Sequence, residues 1–244
     1  MPSASDASDS SPEPHPLIVA IDGPAGAGKS TVAAHLARRF GLLNLETGAM
    51  YRALALKAVE QGTPVDDAAA VTTLTETTRI VLEPGNNGNR VLLDGRDVTA
   101  LLRDPAVTAA ASRVSVHPKV RHWMVTAQRA MGQAAPSGVV MEGRDIGTVV
   151  FPNATVKIFL DASVEARGGR RFLQTAGSAV AEDRVAITRE IAARDDRDRS
   201  REASPLHPAD DAIRIDTTSM SLDEVLACAT EFVQAAVSRA GKYA

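Results

Sequence analysis

Short apolar runs alternate along the chain with longer stretches of helical periodicity. Residues 17–21 (LIVAI) form an apolar, β-branched run of the kind that fills a buried parallel strand. Residues 30–40 follow, with Val32, Ala33, Leu36, Ala37 and Phe40 at helical spacing and Gly41 as a stop. A Gly-rich turn separates the two, so the chain opens strand, loop, helix. Residues 42–45 are a second candidate strand. Residues 48–61 predict a helix carrying Met50, Leu54 and Leu56, ended by Gly62. Asp66 or Asp67 caps a weak helix reaching Thr78. Two runs, 79–83 and 90–94, flank PGNNGN at 84–89, which is a hairpin pattern. Residues 105–113 are Ala-rich and helical, and Pro118 is placed to start a further helix to about 133. Residues 138–142, 155–160 and 212–216 predict three more strands. Ser221 with Glu224 three positions on is a capping box that opens the last helix.

Strands alternating with helices predict an α/β fold with a parallel, doubly wound sheet. The hairpin breaks that alternation, so residues 61–104 read as an inserted lobe. Residues 163–204 turn strongly polar and Arg-rich and read as a lid. The core is then 17–60, 105–162 and 205–244. Residues 1–16, rich in Ser, Asp and Pro, read as a disordered tail without the features of a signal or transit peptide.

Composition narrows the function classes. The chain is 44% apolar and 23% charged, as soluble globular domains are. A net charge of −3 and 3% aromatics argue against a nucleic-acid partner. A single cysteine, Cys228, excludes an intrachain disulfide and reads as a small packing residue. No apolar stretch approaches the ~20 residues that span a bilayer. The expectation is a cytoplasmic enzyme, without membrane partners, acting as a monomer.

The turn after the first strand carries the chemistry. Gly23, Pro24, Ala25, Gly26, Ala27, Gly28, Lys29 and Ser30 match G-x-x-x-x-G-K-[ST], with Thr31 next in the helix. Small residues let backbone N–H groups curl around a phosphate, and the helix aims its positive end at the same anion. Lys29 reaches the β- and γ-phosphates of a nucleoside triphosphate, and the Ser30 hydroxyl ligates Mg²⁺. No N-K-x-D is present for guanine, and no apolar run closes on paired acids as in a motor or transporter ATPase.

Three further signals follow. Thr47, Gly48 and Arg52 could grip a phosphate monoester at a helix start, or be a cap and a surface Arg. Glu142, Arg144 and Asp145 end a buried strand, where open α/β sheets bind ligands. There Glu142 could hold a Mg²⁺-bound water, Arg144 a phosphate, and Asp145 an amine; the other reading is a charged turn. The run 194–201 (RDDRDRSR) could be a lid closing over phosphates or a solvated helix end.

Taken in this order, these segments resemble the bacterial cytidylate (CMP) kinase family. IDGPAGAGKS at 21–30, TGAMYR at 47–52, GRDIGTVVFP at 143–152, KIFLDA at 157–162 and RDDRDR at 194–199 carry the likeness. The resemblance implies a P-loop fold with a five-stranded parallel sheet, a nucleoside-monophosphate-binding lobe at 61–104 and an Arg-rich lid. It implies transfer of the γ-phosphoryl of ATP to CMP or dCMP with Mg²⁺. By position it assigns Thr47, Arg52, Arg144 and Arg201 to the acceptor phosphate. Ser112, Arg121 and Asp145 fall on the cytosine edge, and Arg194 and Asp198 on the sugar. With Lys29, Arg194 and Arg201 serve the transfer itself. Ala25, Thr47 and Glu142 stand where many relatives carry Ser, Ser and Asp. A kinase for UMP, AMP or shikimate, or a non-catalytic ATP-binding module, are the competing readings.

Overall fold

The computed structural model describes residues 16–85, 88–175 and 183–240. Five parallel strands form the central sheet in the order β2-β6-β1-β7-β8. They are β1 (Ile18–Asp22), β2 (Leu43–Glu46), β6 (Val139–Gly143), β7 (Val156–Asp161) and β8 (Ile213–Asp216). β1 is central because it is apolar on both sides. Val19 and Ile21 join Val32, Leu36, Leu160, Val225 and Ala229 on one face. Ala20 points to the other face, with Leu45, Met50, Leu54, Met124 and Met141. That alternation is the two-residue period of a strand buried between helix layers. The first face is covered by α1 (Lys29–Phe40) and α8 (Leu222–Ala240). The second is covered by α2 (Thr47–Glu60), α4 (Pro105–Val114) and α5 (Pro118–Gln133). The layered α/β fold expected from the pattern is therefore observed.

Local signals hold closely where chemistry is local. Ser221 N donates to Glu224 Oε2 at 2.8 Å and Glu224 N donates back to Ser221 Oγ at 3.3 Å, so the capping box is formed. Asp67, rather than Asp66, caps α3 (Ala68–Glu76) by accepting from Ala69 N and Ala70 N. Asp66 pairs instead with Arg113 on α4.

Between α3 and α4 lies a small antiparallel sheet, β3 (Ile80–Gly85), β4 (Gly88–Leu93) and β5 (Arg96–Asp97). The hairpin is tighter than the sequence suggested, because pairing continues through Pro84↔Asn89 to Gly85↔Gly88. The middle of the expected PGNNGN turn, 86–87, lies outside the described residues, as do residues 1–15 of the expected tail and 176–182 of the lid. The two-residue β5 has no alternation to announce it; it exists because Leu92 and Leu93 offer it a paired edge. Asn89 ties this sheet to the core. Its Nδ2 donates to Asn44 O at 2.7 Å and its Oδ1 accepts from Glu46 N at 2.9 Å, imitating a strand neighbour for β2.

The Arg-rich segment forms two helices, α6 (Val164–Thr175) and α7 (Arg184–Ser200). The buried stripe of α7 begins apolar, with Ile187 and Ile191, and turns acidic, with Asp195 and Asp198. The change falls where α7 reaches the P-loop. Among the described residues, no helix is long and apolar enough to cross a membrane. Cys228 is a half-buried packing residue of α8, its thiol pushed up by burial.

Candidate active site

The site lies at the carboxyl ends of β1 and β6, neighbouring parallel strands at the centre of the sheet. The P-loop leaves β1 at Gly23, whose φ is +146°. A Cβ there would stand 2.0 Å from the Leu160 carbonyl oxygen, so only glycine lets the loop pass over β7. Lys29, at the start of α1, is buried and its ammonium donates to Pro24 O at 2.8 Å. Burial, then the nearby Arg144, hold its pKa well below the usual amine range. The next residue, Ser30, donates its hydroxyl hydrogen to Glu142 Oε1. Burial in turn raises the Glu142 carboxyl, and Lys29 opposes that rise. A hydroxyl and a carboxylate side by side are hard oxygen donors of the type Mg²⁺ takes, so this pair fits the ion.

Opposite the P-loop stands a cluster of guanidiniums. Arg52 on α2 pairs with Glu46. Arg144, just past β6, donates through Nε to Asp198 Oδ2 at 2.8 Å, and Arg201 approaches Asp198 Oδ1 at 3.4 Å. Arg194 shares their field; burial and then Arg144 push its pKa down to about 10. Burial alone would raise the Asp198 carboxyl, but Arg144, Arg201 and Arg194 together hold it below the usual range. Among the described residues, three guanidinium N–H groups of this cluster, Arg52 Nε, Arg194 Nε and Arg201 Nη2, are buried without a hydrogen-bond partner, as is Arg121 Nε beside it. Buried donors of this kind cost about 1–3 kcal/mol each when unpaired, more when charged. Concentrated in one site, they define a place for an anion with several acceptor oxygens.

Beside this cluster, Arg121 and Asp145 form a buried ion pair at 2.6 Å. Arg121 is held from three sides, since it also donates to Ser115 O at 3.0 Å and lies 5.5 Å from the Tyr51 ring centroid. Burial pushes the Tyr51 hydroxyl up to about 12, so this ring stays neutral beside Arg121. One carboxylate oxygen of Asp145, Oδ2, is thus committed to Arg121, and Arg201 lies in the field of the same carboxylate.

The structure brings Lys29, Ser30, Glu142, Arg144, Asp145, Arg121, Arg194, Asp198, Arg201 and Arg52 into one region. Three of the expected site residues bond to protein groups. Thr47, the first residue of α2 directly after β2, donates its hydroxyl hydrogen to Glu142 O of β6 at 2.7 Å, which fastens α2 to the sheet. Asp198 is bonded to two Arg residues and serves as their counter-ion. Ser112 on α4 is buried and accepts from Arg197 Nε of α7 at 3.2 Å, so it marks where α7 meets α4.

Sequence reasoning missed three buried groups. Arg167 on α6 and Asp195 on α7 form an ion pair at 2.6 Å, each almost fully buried. Arg167 Nη1 also donates to Ala25 O at 2.9 Å, and Ala25 N approaches Asp195 Oδ1 at 3.4 Å, so the lid helices grip both backbone groups of a P-loop residue. In a run crowded with Arg and Asp, nothing local distinguishes these two from solvated charges. The third is Asp22, the last residue of β1. Its only sequence signal was an acid ending an apolar run.

The Asp22 carboxyl is pushed up from 3.8 to about 6, by burial first, against two backbone hydrogen bonds. The folded protein therefore holds this proton more tightly than the unfolded chain. The resulting stability is fully present below 3.8 and lost as pH rises through about 6. Urea unfolding of wild type against Asp22→Asn is expected to shift in favour of wild type as pH falls from 7 to 4. A difference independent of pH over that range contradicts the burial argument.

A P-loop facing a buried guanidinium cluster, on a parallel α/β sheet, defines a phosphotransferase of the P-loop class. Residues 19–235 match the family described as cytidylate kinase. The cytidylate kinase of Geobacillus sp. (strain WCH70) is 50% identical over 210 residues, covering 86% of this chain and 93% of the relative. That of Geobacillus kaustophilus (strain HTA426) is 48% identical over 217 residues, covering 89% and 96%. That of Symbiobacterium thermophilum is 48% identical over 211 residues, covering 86% and 92%. The chain belongs to the cytidylate kinase family.

Proposed function

We propose that this protein transfers the γ-phosphoryl group of ATP to CMP and dCMP, giving ADP and the corresponding diphosphate. The observation that carries the proposal is the cluster of buried guanidiniums, several with unpartnered N–H groups, of which Arg144 and Arg194 lie in the field of Lys29. A sensor of ATP alone needs no second anion site. The P-loop holds the triphosphate, and Lys29 neutralises charge growing on the transferred group. Arg52, Arg144 and Arg201 hold the acceptor phosphate in line with it, and Arg194 covers the transferred group. No strong base is required, because the attacking atom is already a phosphate oxygen. Ser30, with Glu142 through a water, would hold Mg²⁺, which supplies further charge neutralisation when bound.

Asp145 Oδ1 accepts from the exocyclic amine of cytosine, while Arg121 fixes the carboxylate plane. Uracil presents a carbonyl at that point and meets a buried negative charge. Ser112 lies near the same edge. Residues 61–104 act as the monophosphate-binding lobe and 163–204 as the lid, whose closure excludes water. The reading includes a monomer acting in the cytoplasm. Steady-state phosphorylation of CMP, dCMP, UMP and AMP, side by side, tests the acceptor. CMP and dCMP are expected to lead; a strong preference for AMP overturns the assignment.

A further inference from the structure

The mechanism above uses every charged group at the end of β6 but leaves a buried carboxylate at the end of β1 without a role. Asp22 is 5% exposed. Its Oδ1 accepts from Ile146 N at 2.8 Å and its Oδ2 accepts from Gly147 N at 2.7 Å. These amides are the first two of a single turn of π-helix, Ile146–Val150, and the first amides of a helical turn have no partner within it. The same turn is closed by the carbonyl of Asp145, which accepts from Val149 N at 2.9 Å and Val150 N at 3.1 Å. The backbone of Asp145 is therefore part of what Asp22 holds.

From these contacts we infer that Asp22 is a positioning residue for the acceptor site, fixing the turn that presents Arg144 and Asp145. The inference rests on the kinase reading and adds to it a residue that touches neither substrate. A carboxylate with one oxygen on each of two successive amides fixes both the place and the rotation of the turn. Gly147 tightens the fit. A Cβ there would lie 3.4 Å from Asp22 Oδ2 and 3.2 Å from the Lys157 side chain, whose ammonium is anchored on Asp211 at 2.8 Å. The turn is wedged between Asp22 and the Lys157 stem.

Position explains why the anchor comes from β1. Asp22 pairs in register with Gly143 of β6, and its next residue is Gly23, where the P-loop begins. One residue thus spans the two halves of the reaction, the donor loop through its backbone and the acceptor turn through its side chain. In-line transfer depends on that separation, since a misplacement of about 1 Å can cost on the order of a hundredfold in rate. Asparagine cannot replace the carboxylate, because its NH₂ would face one of the two N–H groups.

The test compares Asp22→Asn and Gly147→Ala with wild type. The first breaks the anchor; the second crowds it with the charge intact, and decides the matter if Asp22→Asn does not fold. KM is measured for the monophosphate that wild type uses best, and separately for ATP, along with the ratio of CMP to UMP turnover. The acceptor KM is expected to rise about tenfold, with the ATP KM within about twofold and the CMP to UMP ratio reduced. An acceptor KM, a kcat and a base preference all equal to wild type in folded variants, or a loss confined to the ATP KM, overturns the inference. Wild-type turnover of CMP in the same assays tests the kinase reading separately. If wild type prefers another monophosphate, that reading fails while the acceptor KM still decides the role of Asp22.

Discussion

Lys29→Ala is expected to lower kcat by about 10³-fold, the scale of removing a charge that neutralises a phosphoryl-transfer transition state. The fold should survive. Lys29 is buried, and its one hydrogen bond is to Pro24 O. Burial and the nearby Arg144 both disfavour its charge in the free protein. Removing the ammonium takes away a desolvation cost, so the thermal midpoint should stay level or rise. A coupled ADP-release assay with a circular-dichroism melt checks both halves. Full activity in the variant contradicts the mechanism. Lost activity with a collapsed melt contradicts the claim that the lysine is there for chemistry.

Asp145→Asn should have the second largest effect, and a selective one. Asp145 is the buried partner of Arg121 at 2.6 Å. Breaking one side of a buried pair leaves an uncompensated charge, at a cost of about 3–5 kcal/mol. Stability should therefore fall. Turnover should change in a pattern that instability alone does not produce. The carboxamide can turn an NH₂ toward a uracil carbonyl, whereas the carboxylate repels it. CMP kcat/KM is expected to drop about 10²-fold, with UMP kcat/KM reduced far less. Equal losses for both acceptors would mean that Asp145 supports the site without reading the base.

These two residues were legible in the sequence because each sits in a local pattern. The P-loop follows an apolar strand and opens a helix, and GRD follows another such strand. The sheet order places both strands side by side. Helix limits at Pro105, Pro118 and Ser221 were legible for the same reason, since capping and proline chemistry act over a few residues. What stayed hidden depends on contacts far apart in the chain. Arg167 and Asp195 meet across a helix pair and close on Ala25. Asp22 finds its partners more than a hundred residues on. Thr47 was legible as a polar group at a helix start, while its bond to Glu142 O of β6 was not. The strand β5 carries no apolar alternation and forms only because β4 is beside it.

In the proposed reaction two phosphate sites, the P-loop and the guanidinium cluster, face each other for direct transfer. Phosphorus NMR of the protein with ATP, Mg²⁺ and CMP follows every phosphate species at once. One CDP is expected for each ADP, with negligible inorganic phosphate while CMP is in excess. ADP accumulating with inorganic phosphate and no CDP would contradict direct transfer.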